Sequence, residues 1–156
     1  MSLLVRPYEA ADWDAICRIH DAARLDELRG SVGLDAFLGL ADTYEAESLF
    51  GNPVWVAELD GEVAGFIAAS PAEITWIYVD PALYRRGIAS ALMNEVFAHA
   101  GDRVELEVLE GNDAARGFYE SLGFVWESST TGKLAGNERF QATGHTLVWR
   151  RAAKGV

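Results

Sequence analysis

The stretch Val79–Leu92, read VDPALYRRGIASAL, constrains this chain more than any other. An apolar strand runs into a proline turn, then two adjacent arginines, then glycine and small residues that open an amphipathic helix. The first N–H groups of a helix lack partners within it, and the helix dipole adds about half a positive charge at that end. Gly87 and Ala89 put little or no side chain between that backbone and a ligand. Arg85 and Arg86 add a doubled cation to a chain whose formal net charge is −11. The physical reading is an anion cradle, with a phosphate-bearing ligand as its natural occupant. Arg85, Arg86, Gly87, Ile88, Ala89 and Ser90 are therefore candidate binding residues.

The rest of the chain supplies a scaffold for that cradle. Leu3 to Arg6 reads as a strand, and apolar residues at helical spacing predict a helix over Ala11 to Leu28. A second helix is predicted over Leu34 to Phe50, between glycine breakers. Strands Val54 to Leu59 and Val63 to Ala69 flank Asp60-Gly61, a pair suited to a tight hairpin turn. Ile74 to Val79 is the strand that feeds the cradle, and Ile88 to Ala100 is the helix that leaves it. Val104 to Val108 reads as a strand, Asp113 to Leu122 as a helix and Phe124 to Trp126 as a strand. Polar, glycine-rich Ser128 to Gly144 reads as a loop or irregular hairpin, and Thr146 to Arg150 as the last strand. Hairpins mixed with helical crossovers predict an α/β fold, a mixed sheet with helices on both faces, in one domain spanning 1–156.

Composition narrows the function classes. The acidity argues against nucleic acid, whose phosphates need a basic face, and suits either a cationic small partner or simple solubility. Three histidines far apart, with no carboxylate or cysteine at ligand spacing, give no metal site. One cysteine, Cys17 on a helical pattern, excludes an internal disulfide and reads as a core residue. The amino-terminal residues lack a long apolar run with a cleavage site, and no segment approaches the ~18 apolar residues of a membrane span. A cytoplasmic protein is expected.

A second cluster, LEVLEGNDAARGFYESLGF, runs from Leu106 to Phe124. Asn112 stands where a strand ends and a helix begins, a capping position, and Phe118 and Tyr119 close that helix before Leu122-Gly123-Phe124. Taken singly, Asn112 reads as a cap and Tyr119 as a packed aromatic. Together the two clusters, in this order and spacing, resemble the GCN5-related N-acetyltransferase superfamily over about Val54 to Val125. That family's cradle is written Q/R-x-x-G-x-G/A. Gly87 and Ala89 fill its last two positions, while Tyr84 stands in place of the glutamine or arginine. The downstream pattern N-x-x-A-x-x-F-Y is matched by Asn112, Ala115, Phe118 and Tyr119.

The resemblance implies a central, mostly antiparallel mixed sheet with splayed strands, and binding of acetyl-coenzyme A as co-substrate. The pyrophosphate would sit on the amides of Arg85 to Ser90, and the pantetheine arm would pair with the backbone of Ile77, Tyr78 and Val79. An acetyl group would pass to a primary amine of a small molecule or peptide by direct attack. Tyr119 matches the family tyrosine that protonates the departing thiolate. Two glutamates compete as general base: Glu73, at the offset of the histone-acetylating branch, and Glu107, at that of ribosomal-protein amino-terminal acetyltransferases. Water or backbone stays open as a third choice. A homodimer through the last strands follows by the same analogy. The alternative is a non-catalytic acyl-coenzyme A sensor of the same fold.

Overall fold

A computed structural model describes residues 2–152. Two antiparallel sheets carry the architecture. The first has strand order β1-β2-β3-β4: β1 (Leu3–Pro7), β2 (Val54–Leu59), β3 (Glu62–Ala69) and β4 (Ile74–Val79). The second has order β5-β7-β6: β5 (Arg103–Leu109), β6 (Val125–Leu134) and β7 (Asn137–Arg150). Strands β4 and β5 meet in parallel at one isolated bridge, Glu73 with Glu105, where the Glu105 amide donates to the Ala72 carbonyl at 2.9 Å. Beyond that bridge the ladder stops, so the two sheets part. The predicted mixed sheet with helices on both faces and splayed strands is the observed fold.

Strand alternation sorts the core onto two faces. On one face Ile16 and Ile19 of helix α1 (Trp13–Arg29) pack with Val54, Val56, Phe66, Ala68 and Trp76. On the other, Ile88, Leu92, Met93 and Val96 of α3 (Ile88–His99) pack with Ala57, Ile67 and Leu106. That second cluster also takes Tyr119 of α4 (Asp113–Ser121) and Phe124. Cys17 packs in the first cluster, and burial, then Asp21 and Asp14, push its thiol pKa up. It is a core thiol.

One segment differs from the sequence reading, and a second takes one of the two forms read for it. Residues 34–50 are not one helix: they form a 3-10 turn at Leu34–Ala36, helix α2 at Leu40–Thr43 and a second 3-10 turn at Leu49–Gly51. Asp21 of α1 accepts the Leu40 amide at 2.9 Å, which starts a new helix there, and Ser48 takes a left-handed φ of 53° just before the second 3-10 turn. Leu34, Leu38 and Phe50 stay exposed, so the apolar residues never formed one helical stripe. The Ser128 to Gly144 segment, read as a loop or irregular hairpin, is the irregular hairpin: most of β6 paired with β7, with register shifts at Trp126/Ser128 and Lys133/Leu134. Val125 through Lys133 are exposed on both faces, which erases the alternation that betrays a strand. The hairpin tip is anchored: Leu134 is buried, Ala135 accepts from the Arg24 guanidinium at 2.8 Å, and the Gly136 amide donates to Glu47 at 3.1 Å.

Candidate active site

The cradle forms where β4 ends. Asp80 accepts the Ala82 amide at 3.0 Å and is held by Arg18 at 3.2 Å, starting a 3-10 turn over Pro81–Leu83. Arg85 (φ 65°) and Gly87 (φ 81°) then turn the backbone into the left-handed region twice within three residues. Gly87 does this without the Cβ penalty. Its carbonyl takes the Ala91 amide at 3.0 Å, while the amides of Ile88, Ala89 and Ser90 find no acceptor among the described residues. A Cβ built on Gly87 would meet no heavy atom within 4 Å, so the space over these amides is open. Three converging N–H donors, a helix dipole and a flanking arginine suit a diphosphate.

From the cradle a cavity of about 980 Å³ runs between the parted strands. Its walls are Ile74 to Val79 of β4 and Leu106, Glu107 and Val108 of β5; Asn112, Ala115, Phe118 and Tyr119 of α4 also line it. Because the Asp80 amide donates to Ala64 of β3, strict alternation turns the backbone groups of Ile77 and Val79 the other way, into the cavity. An extended ligand can therefore pair with that unladdered edge. The residues present fit the pantetheine arm and diphosphate of a coenzyme A thioester.

Tyr119 stands at the centre. It is 8% exposed, its hydroxyl has no protein hydrogen bond, and no side-chain polar atom among the described residues is both buried and unpartnered. The hydroxyl must therefore open onto the cavity it lines. Burial first, and the charge of Glu27 second, raise its pKa well above that of a free phenol, so it holds its proton. Asn112 caps α4 by accepting the Ala115 amide at 3.4 Å, which fixes the helix that carries Phe118 and Tyr119.

The two glutamates separate. Glu107 lines the cavity, and it has no ion-pair partner among the described residues. It lies over Gly144 of β7, where an added Cβ would come within 2.8 Å of its Cγ. Glu73 sits at the closed end of the wedge, in the bridge to Glu105, and does not line the cavity. Of the cradle residues, Arg85, Gly87, Ile88, Ala89 and Ser90 line it, whereas Arg86 is exposed outside it.

One wall was not legible in the sequence. Ala23, Asp26 and Glu27 of α1 close the cavity opposite α4. Glu27 pairs with Arg24 and accepts from the Tyr78 hydroxyl at 3.1 Å. Asp26 pairs with Arg29 at 2.8 Å and accepts from the Tyr84 hydroxyl at 3.4 Å. Tyr84, the residue standing where the cradle pattern has glutamine or arginine, thus serves the α1 wall; burial and Asp26 push its pKa up to about 12. Past Arg29, Gly30 touches Gly111 of the β5–α4 turn, backbone against backbone. Among the described residues no cluster of three metal-ligating side chains occurs, and no helix is long and apolar enough to cross a membrane.

Comparison with known proteins agrees with this geometry. The chain is 28% identical over 126 residues to the uncharacterized N-acetyltransferase YafP of Escherichia coli K12, covering 79% of this chain and 81% of that protein. Its fold matches Ard1 from Thermoplasma volcanium with a TM-score of 0.72 at 22% identity, over 98% of this chain and all (100%) of the other. It also matches the ribosomal-protein-S18-alanine N-acetyltransferase from Escherichia coli, TM-score 0.66 at 19% identity, over 99% and 97% of the two chains. Residues 13–124 match the model of the acetyltransferase (GNAT) family. An open amide cradle, an unladdered strand edge and this match lead to one conclusion: the chain belongs to the acetyltransferase (GNAT) family and is an N-acetyltransferase.

Proposed function

We propose that the whole chain acts as one domain that transfers an acetyl group from acetyl-coenzyme A to a primary amine of a small molecule or peptide, by direct attack. The observation that carries this reading is Tyr119, a residue nine-tenths buried whose unpartnered hydroxyl opens into the same cavity as the free amides of Ile88 to Ser90. Those amides, with Arg85, hold the diphosphate, while Arg86, outside the cavity, is left out of the seat; the backbone of Ile77 and Val79, flanking Tyr78, pairs with the pantetheine arm. Phe118 and Asn112 keep α4 in register beside it. When bound, the coenzyme supplies an acyl thioester activated toward amines.

An alkylamine with a pKa near 10 is mostly protonated at neutral pH and must lose a proton before it attacks. Glu107 is the base in this reading, directly or through water, because it alone of the two candidate glutamates is among the residues that line the cavity. Glu73 is set aside on its place at the bridge. Tyr119 gives its proton to the departing sulfur, and its raised pKa keeps that proton available across the working range. The lone core cysteine supports a cytoplasmic setting. The β6 edge, paired only with β7 among the described residues and exposed along its length, supports a homodimer joined there.

Calorimetry with acetyl-coenzyme A, followed by thiol release in the presence of an amine panel, tests the reading. Binding with turnover supports it. Binding without turnover across a broad panel points instead to an acyl-coenzyme A sensor, and absence of heat on mixing refutes both.

A further inference from the structure

By propensity alone, Gly144 is a poor residue for its place. It lies in the interior of β7, paired with Leu109 of β5 on one side and Thr130 of β6 on the other. Glycine in the middle of a strand weakens the ladder, and it marks a bulge, a bend or a close approach. No special backbone angle calls for it here: Gly144 is not among the glycines of positive φ, so its conformation suits any residue. What the glycine avoids is a contact. A Cβ at this position would stand 2.5 Å from Cδ of Glu107 and 2.8 Å from its Cγ, well inside contact distance. Gly132, on the same face of the sheet but on its outer strand, would meet no heavy atom within 4 Å.

The register explains the contact. Glu107 stands opposite Thr146, and Gly144 is the next residue along β7 on that face. Glu107 therefore leans diagonally across β7 and lies on bare backbone. Among the described residues no ion pair and no hydrogen bond holds its carboxylate, so the shape of the floor beneath it sets its direction. Alternation along β5 places it further. Leu106 and Val108 turn to the face where Tyr119 packs, whereas Leu109 joins Leu28 of α1 on the other, and Glu107 shares the face of Leu109. Phenol and carboxylate thus stand on opposite faces of the parted sheet, and both line the cavity. Resting on the acetyl-transfer reading above, in which Glu107 is the base, we propose that Gly144 is a positioning residue for the reaction. Its missing side chain is the seat that keeps the Glu107 carboxylate laid back over β7, clear of the channel between β4 and β5. An amine entering on the α1 face gives up its proton beside that seat, and the sulfur is protonated from the other face by Tyr119.

The test uses the full chain and thiol release from acetyl-coenzyme A with butylamine, putrescine and an alanine-initiated peptide, read on whichever the parent acetylates fastest. Gly144→Ala is expected to lower kcat about tenfold, short of the roughly 10² expected for losing the base outright. Its affinity for acetyl-coenzyme A in calorimetry and its melting temperature are expected to match the parent, because the far end of a side chain yields and the backbone does not. Gly132→Ala is expected to leave kcat unchanged. In a Glu107→Gln background Gly144→Ala is expected to have no further effect, since no base remains to be displaced. An unchanged kcat in Gly144→Ala, the same loss in the Glu107→Gln background, or a matching loss in Gly132→Ala overturns the proposal. So does a lowered melting temperature in Gly144→Ala, which makes the contact one of packing alone. Glu107→Gln at the full parental rate is a separate failure: it removes the carboxylate from the reaction, and its seat with it, while acetyl transfer stands. No amine acetylated by the parent removes the acetyl-transfer reading itself.

Discussion

Gly111→Ala probes the contact that joins α1 to the β5–α4 turn. Gly111 has a φ of +96°, which costs an L-residue with a side chain about 1–2 kcal/mol. The new Cβ would also fall inside contact distance of the Gly30 carbonyl oxygen, 3.0 Å from its carbonyl carbon and 3.3 Å from Ser31 Cα. These are backbone atoms, so the strain cannot be relieved by turning a side chain, and overlap of this kind adds about 1–3 kcal/mol. The sum is roughly 3 kcal/mol, which for a domain of this size lowers the melting temperature by about 6–12 °C. Gly61→Ala is the control, since Gly61 has a φ of +86° but no heavy atom within 4 Å of an added Cβ. It carries the first cost alone, about 1–2 kcal/mol. Thermal unfolding followed by circular dichroism compares the two. Equal shifts would refute the backbone contact, and with it the claim that α1 closes the cavity by resting on this turn. The acceptor KM of Gly111→Ala is expected to rise as well, because displacing Gly30 moves the wall that holds Asp26 and Glu27.

Tyr119→Phe is expected to lower kcat by roughly 10²-fold, the scale of a lost general acid, with acetyl-coenzyme A affinity in calorimetry nearly intact; equal rates remove the tyrosine from its role. Glu107→Gln is expected to lower kcat by a similar factor of roughly 10², whereas Glu73→Gln leaves kcat nearly unchanged. Away from the cavity, Asp12 is 6% exposed and bonded twice by the Arg6 guanidinium at 2.8 Å. Arg6 above all holds its carboxyl pKa below the usual range. Asp12→Asn is expected to cost about 2–3 kcal/mol at neutral pH, read from urea midpoints. A carboxyl pKa depressed by folding gives stability that is full above the unfolded value of about 3.9 and is lost as pH falls through the folded value. The gap between parent and variant should therefore hold from neutral pH to about 5, begin to narrow near about 4 and close only once the pH has fallen through the lower folded value; a gap that does not narrow below about 4 would count against the pairing.

The parts of the site that were legible in the sequence are those whose chemistry is local. Gly87 reads as an open turn because no other residue takes its left-handed φ as freely, and the structure puts it at 81° with empty space above. Asn112 reads as a cap because a strand ends and a helix begins within two residues of it, and it accepts the Ala115 amide. For Ser128 to Gly144 the sequence left loop and irregular hairpin open because β6 buries only Leu134, so its strand character comes from backbone pairing with β7 and leaves no apolar alternation. The breaks within 34–50 were hidden because one of them depends on Asp21, on another element, reaching the Leu40 amide. Asp26 and Glu27 look like ordinary solvated positions near the end of a helix. Only the crossing of α1 over the parted strands turns them inward, and nothing near them in the chain records that crossing.

The anchored hairpin tip carries a consequence of its own. The diphosphate seat and the thioester channel come from one continuous stretch, residues 74–119, whereas the facing wall is assembled from α1 and steadied by residues more than a hundred positions later. If the proposed reading holds, the donor seat is built by one run of the polypeptide and the opposite wall is held in place by another, far along it.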